Sequence, residues 1–437
     1  MSAPGDVPGA GRAEGASGAD GATRYRWVVL AVGCVATLVT GALRQGLPAL
    51  GPEFRDAFSL SLGQIGVLFS IQSVGFMAGL LPWGALADRT GERPVLGLGL
   101  TAAAGGLALS ATAGTFGWLL AGMFVTGLMA ASATGASGRA VMGWFSRGER
   151  GLVLGIRQTM ITLGGAITAL ALPLIVIATD LTTGLLALGA FSLFAAVTSV
   201  VLMREPPPAP APPGFDARPP MKDGRIWRLG LGSGLLVMAQ AAVVSFTVLF
   251  LVDDHGLSTG QAALVLAAIQ LVAAVARIAA GMWSDKQGKR IAPLRQIGMA
   301  GGLLVGLGAA LSDLPNAALI PLLIAGGAAI SSWNGLSFTA AAEIAGRARA
   351  GTAMSLQNTL VAVLGAASGP LFGLVADATS YQAAFLLVAL APVAGWWVLG
   401  PLEGEEEERA QARRRRLRQH QGPPDIAGVP RTVRSHP

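Results

Sequence analysis

The chain has 437 residues, of which 52% are hydrophobic and only 13% are charged, and its net charge is +7. Soluble domains carry about 25% charged residues, so this composition excludes a water-soluble globular protein. The long apolar runs exclude a collagen-like chain, while one cysteine (Cys34) and three histidines in loops or the C-terminal tail give no basis for a disulfide, a metal centre or a cofactor.

Apolar runs long enough to cross a bilayer follow one another along almost the entire chain. A spanning helix needs about 20 apolar residues, and each half of the sequence contains six such runs. They lie near 27–49, 62–84, 95–113, 116–137, 151–174 and 183–203, and then near 229–251, 260–282, 296–312, 316–338, 351–375 and 381–400. No segment alternates in polarity as a transmembrane β-strand does. The predicted fold is an all-α polytopic membrane protein with 12 transmembrane helices.

Polar segments divide the chain around these runs. Residues 1–26 form a predicted N-terminal tail that lacks the pattern of a cleaved signal peptide, and residues 27–203 form a first six-helix bundle. A proline-rich linker at 204–228 leads to a second bundle at 229–400. The charged tail at 401–437 is expected to be solvated and partly irregular, and a charged helix or a lipid-binding segment are the alternatives.

Lysine and arginine are distributed asymmetrically over the connecting segments. When both ends of the chain are placed inside, the inner loops carry most of the basic residues and the outer loops carry only Arg55. Positively charged loops stay on the cytoplasmic side. The bias therefore predicts a multi-pass protein of the cytoplasmic membrane with both termini cytoplasmic, and it explains the net charge without a nucleic-acid partner.

The two groups of six spans repeat one pattern. The motif Leu60-Ser61-x-Gly63-Gln64 recurs in the second half as Leu257-Ser258-x-Gly260-Gln261. An even number of spans per copy keeps the two copies parallel in the membrane, as in the halves of some transporters. The sequence therefore predicts two six-helix pseudo-repeats around a central pathway.

The connection between spans 2 and 3 reads Gly84-Ala-Leu-Ala-Asp88-Arg89-Thr-Gly91-Glu-Arg93 and resembles the signature loop of the major facilitator superfamily. A second copy, Gly281-x3-Asp285-Lys286-x-Gly288-x-Arg290, lies between spans 8 and 9 and resembles the same signature. The resemblance covers about residues 25–400. It implies the major facilitator fold and a secondary transporter that works by alternating access.

The residue types in these loops indicate a conformational latch. Gly84 and Gly281 allow close approach of helices, the aspartates can pair with an arginine or cap a helix N-terminus, and the later glycines permit tight turns. Charges that serve only membrane topology are the alternative, although acids contribute little to topology. With Arg157 of span 5 added, the predicted gating residues are Gly84, Asp88, Arg89, Gly91, Arg93, Gly281, Asp285, Lys286, Gly288, Arg290 and Arg157.

Three arginines, Arg44, Arg157 and Arg277, lie within the predicted spans, and no acid or histidine accompanies them. An ionisable group in a span is costly and indicates a functional site. Arg277 lies about 12 Å inward from Asp285 at 1.5 Å per residue, close to the midplane where transporters bind substrates. Its Arg-x3-Gly sequence resembles that of monocarboxylate and oxalate/formate transporters, which implies a carboxylate contact. Arg44 on span 1 resembles an arginine of organic-anion branches.

These arginines predict an anionic substrate, because a guanidinium matches a carboxylate with two parallel hydrogen bonds. Structural roles are the alternatives. Arg277 could be satisfied by backbone carbonyls or by Gln270, Arg44 could reach the outer surface, and Arg157 could reach the cytoplasm. The predicted substrate-binding residues are Arg44, Arg277, Gln45, Gln270, Trp333 and Asn334.

Missing features narrow the class of function. The spans contain no nucleophile or acid–base pair, so an enzyme is not predicted. Span 4 lacks the arginine, and span 5 the Gly-Pro-x2-Gly-Gly element, that drug/proton antiporters of the superfamily usually carry. The predicted function is transport of a small carboxylate-type anion by a monomer in the lipid bilayer. A multidrug or metabolite exporter and a non-transporting receptor are alternatives, and the coupling partner is a proton, a counter-anion or none.

Overall fold

The computed structural model describes residues 11–145, 150–204, 220–346 and 349–420. Within these ranges the chain forms helices and no strand. Twelve helical segments of the described residues are long and apolar enough to cross a membrane. The predicted all-α fold with twelve spans is confirmed.

Seven α-helices build the first six spans. They are α1 (Gly11–Gly41), α2 (Gly51–Phe58), α3 (Leu62–Thr90), α4 (Glu92–Ala111), α5 (Phe116–Trp144), α6 (Arg150–Ala178) and α7 (Leu181–Leu202). The first span joins α1 to α2 through a π-helical turn, Ala42–Gly46, and a 3-10 turn, Leu47–Leu50. Such π turns occur often at functional sites, and this one contains Arg44 and Gln45.

Seven further helices build the second six spans. They are α8 (Gly224–Asp253), α9 (Thr259–Gln287), α10 (Ile291–Ala310), α11 (Asn316–Ile330), α12 (Asn334–Ala345), α13 (Ala350–Ala378) and α14 (Tyr381–His420). Span 10, predicted as one run, is interrupted between α11 and α12. The expected irregular tail is wrong for residues 401–420, which continue α14 as a charged helix. Glu406 and Glu407 of this extension bind the start of α10 and Lys289, which favours the helix.

The repeated Leu-Ser-x-Gly-Gln motif starts a helix in each half. The Ser61 hydroxyl accepts from the Gln64 backbone N–H, and the Gln64 side chain accepts from the Ser61 N–H. Ser258 and Gln261 form the same pair of bonds at the start of α9. This reciprocal arrangement is the capping box, so the sequence repeat encodes the same helix start twice.

Contacts between helix ends define two ends of the bundle. At one end of the bundle the first span begins and the last span finishes. There the Tyr25 hydroxyl donates to the Leu202 carbonyl at 2.8 Å. We call this the termini end, and the opposite one, where α2 meets α8, the distal end. Between the halves, α3 packs along α13 and α6 packs along α9. These two helix pairs therefore enclose the centre of the bundle.

Polar contacts join the two halves at the distal end. Arg55 of α2 forms a two-pronged ion pair with Asp253 at the end of α8. The Tyr381 hydroxyl donates to the same carboxylate at 2.6 Å. Asp377 of α13 accepts from the first two backbone N–H groups of α3, at 2.9 and 2.7 Å, which fits a carboxylate at a helix N-terminus.

Near the distal end, α3 and α13 also touch backbone to backbone. A Cβ added to Gly66 would lie 2.1 Å from the Gly369 carbonyl oxygen, so this close approach requires glycine. Toward the termini end, a Cβ on Gly84 or Gly281 would meet no atom within 4 Å. Close helix approach at these two glycines therefore remains a prediction.

Candidate functional site

Arg277 lies in the middle of α9 and reaches the break between α11 and α12. Its Nη2 donates to the Ser331 carbonyl at 2.8 Å, and Ser331 is the residue that caps the C-terminus of α11. The Nε of Arg277 is buried and has no hydrogen-bond partner among the described residues. The backbone therefore satisfies one donor of this guanidinium and leaves Nε free for a ligand.

Arg44 lies in the π turn of the first span. Its guanidinium carbon is 4.3 Å from the centre of the Phe76 ring of α3, and its Nε is buried without a partner in the described part of the chain. A cation–π contact stabilises a cation but does not neutralise it. Within the described residues, Arg44 and Arg277 have no charged partner. Each half of the bundle thus holds at least one arginine without a charged partner among the described residues.

Gln45 and Gln270 meet where α6 faces α9. A Cβ built on Gly165 of α6 would lie 2.7 Å from Gln45 Cβ and 3.2 Å from Gln270 Nε2. Gln270 is fully buried, and neither Nε2 nor Oε1 has a partner in the described structure, nor has Gln45 Oε1. Because buried polar atoms are normally hydrogen-bonded, this cluster is a candidate for contact with a ligand.

Gln240 of α8 holds the start of α12. Its Oε1 accepts from Trp333 Nε1 at 3.0 Å and from Asn334 Nδ2 at 3.4 Å. Trp333 is 1% exposed, so it packs inside the second half, whereas Asn334 is half-buried. Gln240 was not among the predicted substrate-binding residues. Its position as an amide in the middle of span 7 is the feature of the sequence that indicates it.

Arg157 connects three helices of the first half. Its Nη1 donates to Thr37 Oγ1 at 3.2 Å and to Ser137 Oγ at 3.0 Å, and its Nη2 donates to Gln158 Oε1 at 3.4 Å. The side chain is buried between α1, α5 and α6. These contacts stay within one half of the bundle, so a gating role for Arg157 remains a prediction.

Arg295 also lies inside a span, because α10 begins at Ile291 and not near residue 296 as predicted. Its Nε donates to the Trp396 carbonyl at 3.0 Å, and its guanidinium carbon lies 4.0 Å from the centre of the Trp396 ring. It also forms an ion pair with Glu403. The predicted start of span 9 therefore left out Arg295, whose charge is neutralised by Glu403 of the helix extension.

The turn glycines of both signature loops adopt the predicted conformation. Gly91 has a φ of +86° and Gly288 a φ of +63°, values in the region that favours glycine. Arg89 and Arg93 of the first loop are exposed. The side chain of Asp88 lies outside the described residues.

In the second signature loop, the aspartate pairs with an arginine of its own half. Arg290 Nη1 donates to Asp285 Oδ1 at 2.5 Å, and Arg290 Nε donates to Glu343 Oε1 at 3.0 Å. Lys286 is exposed. These contacts fit the predicted carboxylate–arginine pairing, and a latch between the halves remains a prediction.

Comparison with known proteins agrees with this architecture. The family model of the Major Facilitator Superfamily matches residues 33–370. An uncharacterized MFS-type transporter of Mycobacterium tuberculosis is 32% identical over 372 residues, which cover 84% of this chain and 83% of the relative. The probable sulfoacetate transporter SauU of Cupriavidus necator is 26% identical over 393 residues, covering 83% and 90%. A crystal structure of a bacterial homologue of the human lysosomal transporter Spinster, inward-facing and occupied, matches with a TM-score of 0.72 and 17% identity, over 87% of this chain and 97% of that chain.

Proposed function

This chain belongs to the major facilitator superfamily and is a membrane transporter, and we propose that it carries a small organic anion by alternating access. In this proposal Arg277 and Arg44 are the charged contacts of the substrate, one from each half. Gln45, Gln270 and Asn334 supply further polar contacts, and Trp333 supports the start of α12 from within.

The unneutralised arginines in the middle of the bundle are the observation that supports an anion. Among the described residues, carboxylates lie near the ends of spans, as Asp253, Asp377 and Glu343 do. A buried cation without a partner is costly in a membrane, and an anion between Arg44 and Arg277 would remove that cost. A relative named for sulfoacetate, a small organic anion, agrees with this substrate class.

The conformation suggests how the site opens. If positively charged loops lie in the cytoplasm, the termini end is cytoplasmic, and the distal contacts close the site on the other side of the cytoplasmic membrane. The bundles at 27–203 and 229–400 then move as two units around the linker at 204–228. The signature loops, with Asp88, Arg93, Asp285 and Arg290 as their charged members, latch the termini end when the distal end opens.

The distribution of titratable groups limits the coupling partner. No described acid or histidine lies in the middle of a span. A coupled proton is therefore carried on the substrate carboxylate, or a counter-anion returns through the same site. Both halves come from one chain, so a monomer provides the complete pathway.

Uptake by the purified protein in proteoliposomes tests the proposal. The panel consists of small carboxylates and sulfonates, including sulfoacetate, together with a cationic dye. We expect uptake of at least one anion, and we expect Arg277→Gln to lower that uptake at least about tenfold, because a buried charge contact contributes 1.4 kcal/mol or more.

Arg228→Gln is the matched control, since Arg228 is exposed at the termini end of α8. The control should transport at the wild-type rate. Uptake of the cationic dye alone, or anion uptake that Arg277→Gln leaves unchanged, would contradict the proposal.

A further inference from the structure

We propose that the transported anion carries a hydroxyl group and that Gln270, together with Gln45, recognises this hydroxyl. The inference rests on the proposed function, because it adds a second recognition element to the anion held by Arg277. The inference concerns the amide atoms of Gln270 and Gln45, which have no contact with Arg44 or Arg277 in the described structure.

The amide of Gln270 lacks both a donor and an acceptor from its surroundings. Its side chain is 0% exposed, and Nε2 and Oε1 are both without a partner in the described structure. A glutamine amide presents N–H donors at one atom and an acceptor at the other. Both needs remain when the amide is turned over, so they do not depend on how its nitrogen and oxygen are assigned. Gln45 Oε1 adds a second acceptor without a partner.

A group that both donates and accepts hydrogen bonds meets these needs. An ionised carboxylate or sulfonate only accepts hydrogen bonds, and an ammonium only donates them. A hydroxyl accepts from Gln270 Nε2 and at the same time donates to Oε1 of Gln270 or of Gln45. A hydroxylated anion therefore satisfies atoms that a simple carboxylate leaves unpaired.

The amide and the arginine are placed for a single small molecule. Gln270 and Arg277 are seven residues apart on α9, so they share one face of the helix, with a rise of about 10 Å between them. Helical side chains lean toward the N-terminus of their helix, so the long side chain of Arg277 extends in the direction of Gln270. In this proposal a hydroxy acid bridges the two groups.

Gly165 allows the two amides to close on each other. A Cβ at this position would lie 2.7 Å from Gln45 Cβ, so only glycine permits this packing of α6 against the π turn and α9. In the present conformation Gln270 is fully covered and Gln45 is half-buried, so the Gln270 amide becomes accessible when α6 and α9 separate.

Pairs of anions that differ by one hydroxyl test the inference. Lactate is compared with propionate and malate with succinate, by competition for uptake and by thermal stabilisation of the purified protein. We expect the hydroxylated member of at least one pair to bind about tenfold more tightly or better, because a site built to pair with a hydroxyl rejects the analogue that lacks it. Gln270→Leu should reduce that ratio to near one, and Arg277→Gln should weaken both members alike.

Two further variants protect the test. Gln296→Leu is the control, because it replaces an exposed glutamine of α10, and it should keep the wild-type ratio of affinities within each pair. Gln45→Leu takes the place of Gln270→Leu if the latter variant does not fold. If binding of the anions depends on Arg277 but no pair shows a preference, the proposed recognition of a hydroxyl is overturned and the proposed function stays intact. A preference that survives in both glutamine variants would overturn the role of these amides. Absence of any anion binding would overturn both proposals.

Discussion

The backbone contact between α3 and α13 closes the distal end, so a single methyl group at Gly66 should open it. In Gly66→Ala the new Cβ would lie 2.1 Å from the Gly369 carbonyl oxygen and 2.8 Å from the Pro370 nitrogen. The shorter distance is more than about 1 Å below an ordinary contact. The atoms met belong to the backbone, so no side-chain rotation relieves the overlap and the two helices must separate.

The size of the effect follows from the cost of overpacking. An extra methylene in a tightly packed contact costs about 1–3 kcal/mol, and here that cost falls on the distal-closed conformation alone. A free-energy difference of this size shifts the equilibrium about 5- to 150-fold toward the distal-open conformation. The apparent affinity for a substrate that binds the distal-closed conformation should weaken by at most this factor, because fewer molecules are in that conformation.

Alkylation of a cysteine placed under this contact measures the shift. Ser70 is 8% exposed, and its Oγ lies 2.6 Å from the Cβ position of Gly369. In a Cys34→Ser background, Ser70→Cys should react with a bulky maleimide at least about fivefold faster when Gly66→Ala is added. Gly105→Ala is the control, because a Cβ at Gly105 meets no atom within 4 Å. Equal rates with and without Gly66→Ala would refute the α3–α13 contact as the distal seal.

Two further predictions concern stability. Arg295→Gln removes the ion pair with Glu403 and the hydrogen bond to the Trp396 carbonyl, and it should lower the free energy of unfolding by about 2 kcal/mol. A double-mutant cycle with Glu403→Gln that shows no coupling between the two positions would contradict this account. Asp180 caps α7 outside the spans, and the backbone N–H of Thr183 lowers the pKa of its carboxyl group. The cap therefore stabilises the folded protein at neutral pH, and this stabilisation is lost as the pH falls through the lowered pKa. Asp180→Ala should therefore melt below the wild type at neutral pH, and a difference that persists at a pH at which Asp180 is protonated in the folded protein would count against the cap.

The predicted site remains a prediction, but the structure shows which of its contacts depend on neighbouring helices. The sequence placed Arg44 and Arg277 inside spans, and the structure shows both with a buried Nε that lacks a described partner. It could not show that Arg277 binds the Ser331 carbonyl, because that contact requires the break between α11 and α12. Gln240 is an amide within a span that the predicted set left out, since its partners Trp333 and Asn334 lie on a distant part of the chain.

The boundaries of the spans show the same division. A few residues of error at the start of α10 were enough to leave Arg295 outside a span. The charged run after span 12 also could not be assigned from composition, because its helix is supported by contacts with Lys289 and the start of α10. Hydropathy fixes that a segment crosses the membrane, but partners on other helices decide where its helix begins and ends.

The sequence by itself determined that this protein is embedded in a lipid bilayer. It also determined the twelve spans, the duplication into two halves and the turn glycines of both signature loops. These features depend on transfer of apolar side chains into lipid and on short-range backbone geometry, which are encoded residue by residue. Only the tertiary structure decided that the halves join at the distal end, through Arg55 with Asp253 and through Asp377 with α3. It also decided that Gln45 and Gln270 meet at Gly165 with polar atoms that lack described partners. Such contacts join residues far apart in the chain, and they exist only after helix packing has selected which faces meet.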